Sequence, residues 1–371
     1  MTDQGNVTLK QTPLDALHRE RGGKMVPFTG YDMPVQYAGG IIAEHQHTRT
    51  QASLFDVSHM GQAILKGDDA ASALETLVPG DIQDLGVGRT RYTLLTSEDG
   101  GILDDLMVTH QGSQLFLVVN AACKDQDFAH IQSRIGDRAG LEILEDKALI
   151  ALQGPAAMDV YSRLAPAARH MMFMTAETLH VGDVPCLTTR SGYSGEDGYE
   201  ISVAGEDAEN LAQLLLGEAE VGLAGLGARD SLRLEAGLCL YGNDIDKTTT
   251  PIEAKLAWVI GKRRREEGGF PGAGIILEQL KTGTQRKRVG IKPDGKAPAR
   301  AHTIIEDPDG NAIGEITSGG FGPTVGGPVA MGYVKSEFAK TDTPVNLMVR
   351  GKAHPAHVVK LPFVEHRYFN T

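Results

Sequence analysis

The segment from Gly100 to Val108 constrains the fold most, because it sets two adjacent aspartates in a run that is otherwise apolar after its glycines. Such a run predicts a β-strand, and side chains alternate across a strand, so Asp104 and Asp105 face opposite sides. Burying a carboxylate without a partner is costly and displaces its pKa. At most one of the two therefore lines any given pocket, and the residues alone do not decide which. The structural alternative, in which both cap turns or pair with basic residues at a strand edge, stays open.

The chain of 371 residues is long enough for two or three domains. Its formal net charge of −12 disfavours nonspecific binding to nucleic acid or to an anionic membrane surface, since the excess of Lys and Arg that neutralises phosphates is missing. We therefore expect a small-molecule substrate or a specific protein partner, and no nucleic-acid or membrane partner.

Cysteine usage and hydropathy indicate a reducing compartment. Cys123, Cys186 and Cys239 lie far apart and form no C-x-x-C pair, so neither a disulfide framework nor a cysteine-rich metal site is expected. No apolar run reaches the roughly 18 to 20 residues that span a bilayer, and residues 1–5 resemble neither a signal peptide nor a presequence. The sequence predicts a soluble cytoplasmic protein, or a mitochondrial matrix protein if a presequence has been removed.

Turn residues divide the chain into α+β segments followed by an all-β region. Residues 56–145 contain predicted strands, hairpins and helices, among them a helix near Asp125 to Ile135 with one apolar face. The segments on either side of that unit have the same mixed character. From Arg288 onward, short β-like runs are separated by turns, which predicts a small C-terminal barrel or sandwich. Residues 262–272 resemble a linker.

Two motifs point to recognition of a planar polar ligand. The segment from Ser191 to Glu200 contains three glycines, which let the backbone approach a ligand closely and leave Glu200 at the edge of the next strand. Arg229 and Arg233 are spaced i and i+4 on a predicted helix, where a guanidinium can bind a planar ligand through two hydrogen bonds. An acidic hairpin loop and a helix-surface ion pair explain the same residues without a ligand, and both alternatives stay open.

Other candidate motifs are weak. His45 and His47 offer two imidazoles, but the sequence shows no further ligands at a diagnostic spacing, so we do not expect a metal site. The basic run from Lys262 to Arg265 is typical of a solvated surface, and it is also a candidate docking patch for an acidic protein. The phosphate-binding and dinucleotide-binding glycine motifs are absent.

Taken together, the motifs resemble the aminomethyltransferase family, the T proteins of the glycine cleavage system. The resemblance covers essentially the whole chain, and any one stretch is weak, whereas their order and spacing are specific. The stretches that carry it are Phe28 to Pro34, Phe55 to Met60, Gly100 to Leu106, Gln153 to Pro155, Gly192 to Glu200, Ala228 to Asp246, Thr317 to Gly319 and Met331 to Val334.

The resemblance implies an α+β fold in which three domains form a cloverleaf around a central folate site. It implies a discontinuous, folate-binding first domain of residues 1–55 plus 146–265. It implies a second α+β domain, residues 56–145, that carries the catalytic aspartate, and a C-terminal β-barrel, jelly-roll-like domain of residues 275–371.

The resemblance also implies a reaction. The aminomethyl group on the lipoyl arm of H protein gives its methylene to tetrahydrofolate, which releases ammonia, forms 5,10-methylenetetrahydrofolate and leaves dihydrolipoyl H protein. Tetrahydrofolate is then a co-substrate, and no metal, flavin or pyridoxal phosphate is expected, because the carbon arrives already activated on lipoate. Lipoylated H protein is the expected partner, and the Lys262 to Arg265 run is its candidate docking patch.

The family's motifs assign roles to particular residues. The catalytic aspartate falls on Asp104, which leaves Asp105 as a structural partner on the other face. The folate-binding positions fall on Glu200, Arg229, Tyr368, Tyr92 and Asn120.

Two rival functions share this fold. One is another folate-dependent demethylase or methyltransferase that acts on methylated sulfur or nitrogen compounds. The other is a noncatalytic folate-binding protein that assists iron–sulfur assembly. Relatives of the second kind carry a K-G-C-[YF]-x-G-Q-E signature, and the comparable stretch here, Leu238 to Asp244, lacks it.

Overall fold

The structure, a computed structural model, describes residues 8–369. The α-helices are α1 (Asp15–Glu20), α2 (Gly40–Thr50), α3 (Ala70–Glu75), α4 (Lys124–Ile135), α5 (Ala157–Leu164), α6 (Gly205–Leu216), α7 (Leu226–Glu235), α8 (Lys262–Glu267) and α9 (Ala273–Thr282). Short 3-10 helices lie at Pro166–His170, Ala257–Val259 and Ser336–Phe338.

The strands fall into a hairpin, two open sheets and a barrel. They are β1 (Lys24–Phe28), β2 (Tyr31–Gln36), β3 (Ala52–Asp56), β4 (Gly61–Lys66), β5 (Thr90–Thr96), β6 (Ile102–His110), β7 (Gln114–Val119), β8 (Gly140–Ile143), β9 (Lys147–Gln153), β10 (Ala176–Val181), β11 (Val184–Thr189), β12 (Gly198–Ala204), β13 (Val221–Leu223), β14 (Arg286–Pro293), β15 (Ile304–Glu306), β16 (Ala312–Gly322), β17 (Gly327–Lys335), β18 (Pro344–Val349) and β19 (Lys352–Val359).

The first open sheet is built from two separate stretches of the chain. Its strand order is β10-β11-β12-β9-β3-β13, so β3 pairs with strands that follow it by about ninety residues or more. Helices α5 and α6 cover it, and α6 buries its apolar face through Ala208, Leu211 and Leu215. That spacing, i, i+3 and i+7, is typical of an amphipathic helix packed on a sheet.

The second open sheet lies between those two stretches in the chain. Its order is β5-β6-β7-β4-β8, all antiparallel, and α4 packs against it through Phe128, Ile131 and Ile135, the apolar face that the sequence predicts. Strand β6 begins after Gly101, where an added Cβ would lie 1.9 Å from the Lys247 carbonyl oxygen. Only glycine fits at that crossing, and the neighbouring Ile102 amide donates to the Asp246 carbonyl at 3.1 Å.

The C-terminal strands close into a barrel in the order β14-β17-β16-β15-β18-β19, with β19 pairing back onto β14. Its interior is filled by alternating apolar side chains such as Val289, Ile291 and Ile316. The predicted α+β class and C-terminal barrel are confirmed. The domain boundaries at residues 55, 145, 265 and 275 stay predictions.

One local expectation is wrong. Residues 262–267 were expected to be part of a linker, but they form helix α8, because Arg263 and Arg264 bind groups at the end of α3.

Candidate functional site

Strand β6 sends its two aspartates to different environments. Burial alternates along the strand, and Asp104 is 0% exposed whereas Asp105 is half-buried. The predicted alternation is therefore present. Asp104 faces the interior of the second sheet's core together with Leu106. Asp105 lies on the other face of the strand, within electrostatic reach of Tyr193.

Asn120, at the end of β7, joins the two aspartates. Its side-chain amide donates to Asp104 Oδ1 at 2.9 Å and to Asp105 Oδ1 at 2.7 Å, and its backbone amide donates to Asp104 Oδ2 at 3.1 Å. Both amide hydrogens are thus used on carboxylates. The predicted site residue Asn120 fixes the orientation of Asp105 and connects it to the buried Asp104.

Asp105 lies among tyrosines rather than cations. Burial and the neighbouring Asp104 charge raise the pKa of Asp105 to about 7, although its hydrogen bonds with Tyr92 and Asn120 act in the opposite direction. Tyr92, half-buried on β5, is within hydrogen-bonding reach of Asp105 and stacks on Trp258 with ring centroids 5.5 Å apart. A carboxyl group with a pKa near 7 both accepts and returns a proton readily at neutral pH.

Tyr193 connects this carboxylate to the other predicted binding residues. Its ring lies under the guanidinium of Arg229, 4.8 Å from the centroid, and its hydroxyl donates to the carbonyl oxygen of Cys239. Arg229, in the first turns of α7, is in turn close enough to Glu200 for the carboxylate to raise its pKa, while burial lowers the pKa of Arg229 overall. Glu200 accepts a hydrogen bond from Ser191 Oγ at 2.7 Å.

The two arginines of α7 have different roles. Arg233 forms ion pairs with Asp230 at 2.7 Å and with Asp244 at 2.8 Å, so the ion-pair alternative holds for Arg233. Arg229 stacks on Tyr193 instead and remains half-buried. Its guanidinium therefore keeps hydrogen-bond donors available to a planar ligand.

Tyr368 belongs to a C-terminal segment that crosses back over the first domain. Its ring stacks on Phe173 with centroids 4.1 Å apart and planes 5° apart. The preceding Arg367 donates to Glu196 at 2.5 Å and to the Arg49 carbonyl at 2.7 Å, which holds the segment in place. The structure thus brings Tyr92, Asn120, Arg229 and Glu200 into one connected set, whereas the ring contacts of Tyr368 are with Phe173 and His366.

The burial of the two aspartates opposes the predicted division of roles. Asp104 has no exposed surface, and Asp105, expected to be a structural partner, is the one that lines the accessible side. The physical reason is that α4 covers the Asp104 face of β6 and brings Asp127 against it. Direct contact of Asp104 with folate stays a prediction, and the geometry favours Asp105.

Comparisons with known proteins agree over nearly the whole chain. The family pattern described as the GCVT N-terminal domain matches residues 14–264, and the glycine cleavage T-protein C-terminal barrel domain matches residues 286–365. The chain is 50% identical to "Aminomethyltransferase, mitochondrial" from Gallus gallus, over 97% of this chain and 94% of that protein. It is 47% identical to the protein of the same name from Dictyostelium discoideum, with the same coverage of each chain.

A solved structure shows the same architecture. The glycine cleavage system aminomethyltransferase T from Bartonella henselae superimposes with a TM-score of 0.93 and is 44% identical, over 98% of this chain and 100% of that one. The chain belongs to the aminomethyltransferase family. It is thus an enzyme of the folate-dependent transferase class, a T protein of glycine cleavage, and the family resemblance is confirmed.

The basic run of this aminomethyltransferase is not a free patch. Arg263 donates to Glu75 and to Asp81, each at 2.6 Å, and Arg264 is 4% exposed and donates to the Glu75 carbonyl oxygen at 2.6 Å. These bonds tie α8 to the end of α3. The expectation of a docking patch at Lys262 to Arg265 is therefore wrong for its two central arginines.

Other weak signals resolve into internal contacts. His45 and His47 lie on helix α2 and contact Ser231, Thr324 and the Glu220 carbonyl oxygen. Within residues 8–369, no group of three or more His, Cys, Asp or Glu side chains is placed to hold a metal ion. The three cysteines are free thiols. Over the same residues, no helix has both the length and the apolar character that a membrane span requires.

Three residues next to the site were not singled out from the sequence. Tyr193 lies in the glycine-rich loop, where an aromatic residue between glycines was a usable signal. His59 is buried, with an unpartnered Nδ1, and burial together with nearby Arg229 lowers its pKa to about 4. Asp127 lies one residue before Phe128 on α4, and an acidic residue beside an apolar helix face was the available signal.

Proposed function

We propose that this aminomethyltransferase transfers the methylene of an aminomethyl group, carried on the lipoyl arm of an H protein, to tetrahydrofolate. The observation that carries the proposal is the half-buried Asp105 carboxylate, held by Tyr92 and Asn120 and connected through Tyr193 to Arg229 and Glu200. This set provides a proton acceptor beside an acidic and a basic group that recognise a planar heterocycle.

The proposed reaction balances without an oxidant or a reductant. Two folate nitrogens each form a bond to the methylene carbon, and the carbon–sulfur and carbon–nitrogen bonds of the aminomethyl thioether break. Of the two protons that leave the folate nitrogens, one goes to the sulfur, which becomes a thiol of dihydrolipoyl H protein. The other goes to the departing amine, which leaves as ammonia. The product is 5,10-methylenetetrahydrofolate.

Asp105 takes the role that the family motif assigned to Asp104. Its carboxylate stabilises the positive charge that develops on an attacking folate nitrogen, and it accepts the proton that this nitrogen loses. Its pKa of about 7 suits both steps at neutral pH. Holding the nitrogen close to the sulfur-bound carbon supplies a further part of the rate.

The remaining predicted residues bind and orient folate. Glu200 accepts hydrogen bonds from the amino edge of the pterin, a charge-assisted interaction, and Arg229 donates to its acceptor groups. Tyr92, Asn120 and Tyr368 line the folate site. Each of these roles is proposed from the half-burial of the side chain, which leaves part of its surface available to a ligand.

Tetrahydrofolate acts here as a co-substrate, and the proposal requires no metal, flavin or pyridoxal phosphate, because the carbon arrives already activated on lipoate. We propose the cytoplasm as the location, or the mitochondrial matrix if a presequence has been removed. The names of the relatives, which carry the word mitochondrial, support the second possibility.

The test is a reconstituted reaction with the full chain. The protein is mixed with tetrahydrofolate and aminomethyl-loaded H protein, and ammonia and methylenetetrahydrofolate are measured. We expect both products in equal amounts, and only when all three components are present. Folded protein that yields neither product contradicts the proposal. Methyl transfer from free methylated sulfur or nitrogen compounds, measured in parallel, would instead support the demethylase alternative.

A further inference from the structure

Three carboxyl groups lie close together at the site, with Asp105 half-buried and the other two buried. We name them the carboxyl cluster: Asp104, Asp105 and Asp127. Asp104 is 0% exposed and Asp127 is 1% exposed. Within the described range of 8–369, none of the ion pairs includes any of the three. The nearest cationic influence on Asp127 is Lys247, whose ammonium group donates to Gln126. The cluster is thus buried without a paired cation.

Hydrogen bonds connect the three groups in a line. The Asn120 side chain bridges Asp105 and Asp104 at 2.7 and 2.9 Å, so the two carboxylates share one amide. Asp127, on the first turn of α4, lies within hydrogen-bonding reach of Asp104. Asp104 is therefore the central member, because it is connected to Asp105 through the Asn120 amide and to Asp127 directly.

Three uncompensated carboxylates at such distances cannot all be ionised, because like charges in a desolvated site repel strongly. The Oδ2 atom of Asp127 is buried and has no hydrogen-bond partner as an acceptor. A proton on Asp127 turns that side chain into a donor toward Asp104. Burial and the neighbouring Asp104 raise the pKa of Asp127 to about 10, in agreement with this geometry.

We propose that Asp104 and Asp127 share one proton as a buried carboxyl–carboxylate pair. The single negative charge of this pair acts on Asp105 directly and through Asn120, so that the Asp105 carboxyl group still gains and loses its proton near neutral pH. Both are positioning residues, because Asp105 alone faces the space where substrate binds. The inference rests on the proposed role of Asp105. It assigns the pair a fixed proton that is not consumed in turnover.

Among the titratable groups around Asp105, only the Asp104–Asp127 pair carries a charge near pH 7. The titratable side chains around it come from its own strand, from β5, from the start of α4, from the glycine-rich loop and from the segment after α7: Asp104, Tyr92, Cys123, Asp127, Tyr193 and Cys239. Burial raises the pKa of each tyrosine and cysteine in this group. These four are therefore neutral near pH 7, and the charge next to Asp105 comes from the pair.

The first experiment compares two isosteric variants of the full chain. Asp104→Asn removes the charge next to Asp105, so the midpoint of the acid limb of kcat/KM moves to lower pH by roughly one pH unit. In Asp127→Asn the new amide donates to Asp104 as the protonated Asp127 does, so the midpoint stays within about 0.3 of a pH unit of wild type. If both variants lose rate with an unmoved midpoint, the pair has only a structural role and the inference is overturned.

The second experiment observes the proton itself and requires no turnover. At pH 8 ordinary aspartates are ionised, so a carbonyl band of a protonated carboxylic acid in the infrared spectrum reports the shared proton. We expect this band in the wild-type spectrum. We also expect it in the difference spectrum obtained by subtracting Asp127→Asn from wild type, because the variant lacks the proton on Asp127. A difference spectrum without the band contradicts the inference, even where Asp104→Asn fails to fold.

The two experiments separate failure of this inference from failure of the proposed function. If Asp105→Asn turns over normally and the infrared band of Asp127 is present, the proposed role of Asp105 is contradicted and the shared proton is supported. If Asp105→Asn is slow and the band is missing, the role of Asp105 is supported and the shared proton is contradicted.

Discussion

Two buried clusters of charged side chains differ in how their charge is balanced. The first, which we name the arginine cluster, consists of Arg49, Glu196, Glu235, His45 and Arg367. Arg49 donates to Glu196 at 2.8 Å and to Glu235 at 3.1 Å, and Arg367 donates to Glu196 at 2.5 Å. In the carboxyl cluster, by contrast, Asp104 and Asp105 share a single amide, and no ion pair among the described residues includes any of the three acidic groups.

The pKa values follow that difference. Burial raises the pKa of Glu235, but hydrogen bonds and charge from His45, with further bonds from Thr324 and Val325, lower it to about 2. The same burial, without a cation, raises the pKa of Asp105 to about 7. The arginine cluster therefore holds α2, α7 and the C-terminal segment together, while the carboxyl cluster keeps a group ready to exchange a proton at the expense of stability.

Breaking the arginine cluster gives the largest expected loss of stability. Arg49→Met removes the one guanidinium that Glu196 and Glu235 share in the buried cluster, which lowers the free energy of unfolding by about 3–5 kcal/mol. Urea unfolding measures the change. The control is Arg169→Ala, which removes an exposed pair with Asp159 and lowers the free energy by at most about 1 kcal/mol. Equal losses of unfolding free energy in the two variants would show that the buried cluster stabilises the fold no more than an exposed ion pair does.

A matched pair of buried aspartates sharpens the comparison. Asp244 accepts bonds from Arg233 at 2.8 Å and from Ser318 at 2.9 Å, so Asp244→Asn lowers the free energy of unfolding by about 3 kcal/mol. Asp127 pairs with no cation in the part of the chain that the structure describes, so Asp127→Asn leaves stability unchanged or increases it. Urea unfolding of both variants checks this, and a larger loss for Asp127→Asn reverses the interpretation.

Glu200 is intermediate between the arginine cluster and the carboxyl cluster in how its charge is balanced. It is half-buried, and among the described residues its side chain accepts one hydrogen bond, from Ser191. Glu200→Gln should therefore leave the melting temperature nearly unchanged. It should raise KM for tetrahydrofolate by about tenfold, because a charge-assisted hydrogen bond to the pterin contributes about 1.5 kcal/mol or more. An unchanged KM would remove Glu200 from the folate site.

The smallest expected effects are those of pH on stability, and they have opposite signs in the two clusters. The pKa of Glu235 is lowered from 4.5 to about 2, so its contribution is present above pH 4.5 and is lost as the pH falls toward 2. The pKa of Asp105 is raised from 3.8 to about 7, so the folded state binds its proton more tightly and loses stability as the pH rises between these values.

Thermal melts of Glu235→Gln and Asp105→Asn across pH 3–8 separate these signs. Relative to wild type, Asp105→Asn should gain stability as the pH rises from about 4 to 7. Glu235→Gln should lose less than wild type when the pH falls below about 4.5. Parallel curves for a variant and wild type would contradict the corresponding pKa displacement.

Much of the fold follows from local pattern. The alternation along β6, the apolar face of α4 and the turn-separated strands of the barrel depend on residues close together in the chain, and each is present. The choice between Asp104 and Asp105 depends instead on which face of β6 is covered by α4, a contact that no strand pattern contains. The basic run at Arg263 was misjudged for the same reason, since its partners Glu75 and Asp81 lie more than 180 residues earlier in the chain.

The central claim is that Asp105 is the reactive carboxylate and Asp104 acts through it. The most direct test is single-turnover formation of methylenetetrahydrofolate from aminomethyl-loaded H protein by Asp105→Asn and Asp104→Asn, measured side by side at pH 8. We predict a loss of about 10²–10⁴-fold for Asp105→Asn and about tenfold or less for Asp104→Asn. A larger loss for Asp104→Asn, with Asp105→Asn near the wild-type rate, would contradict the assignment.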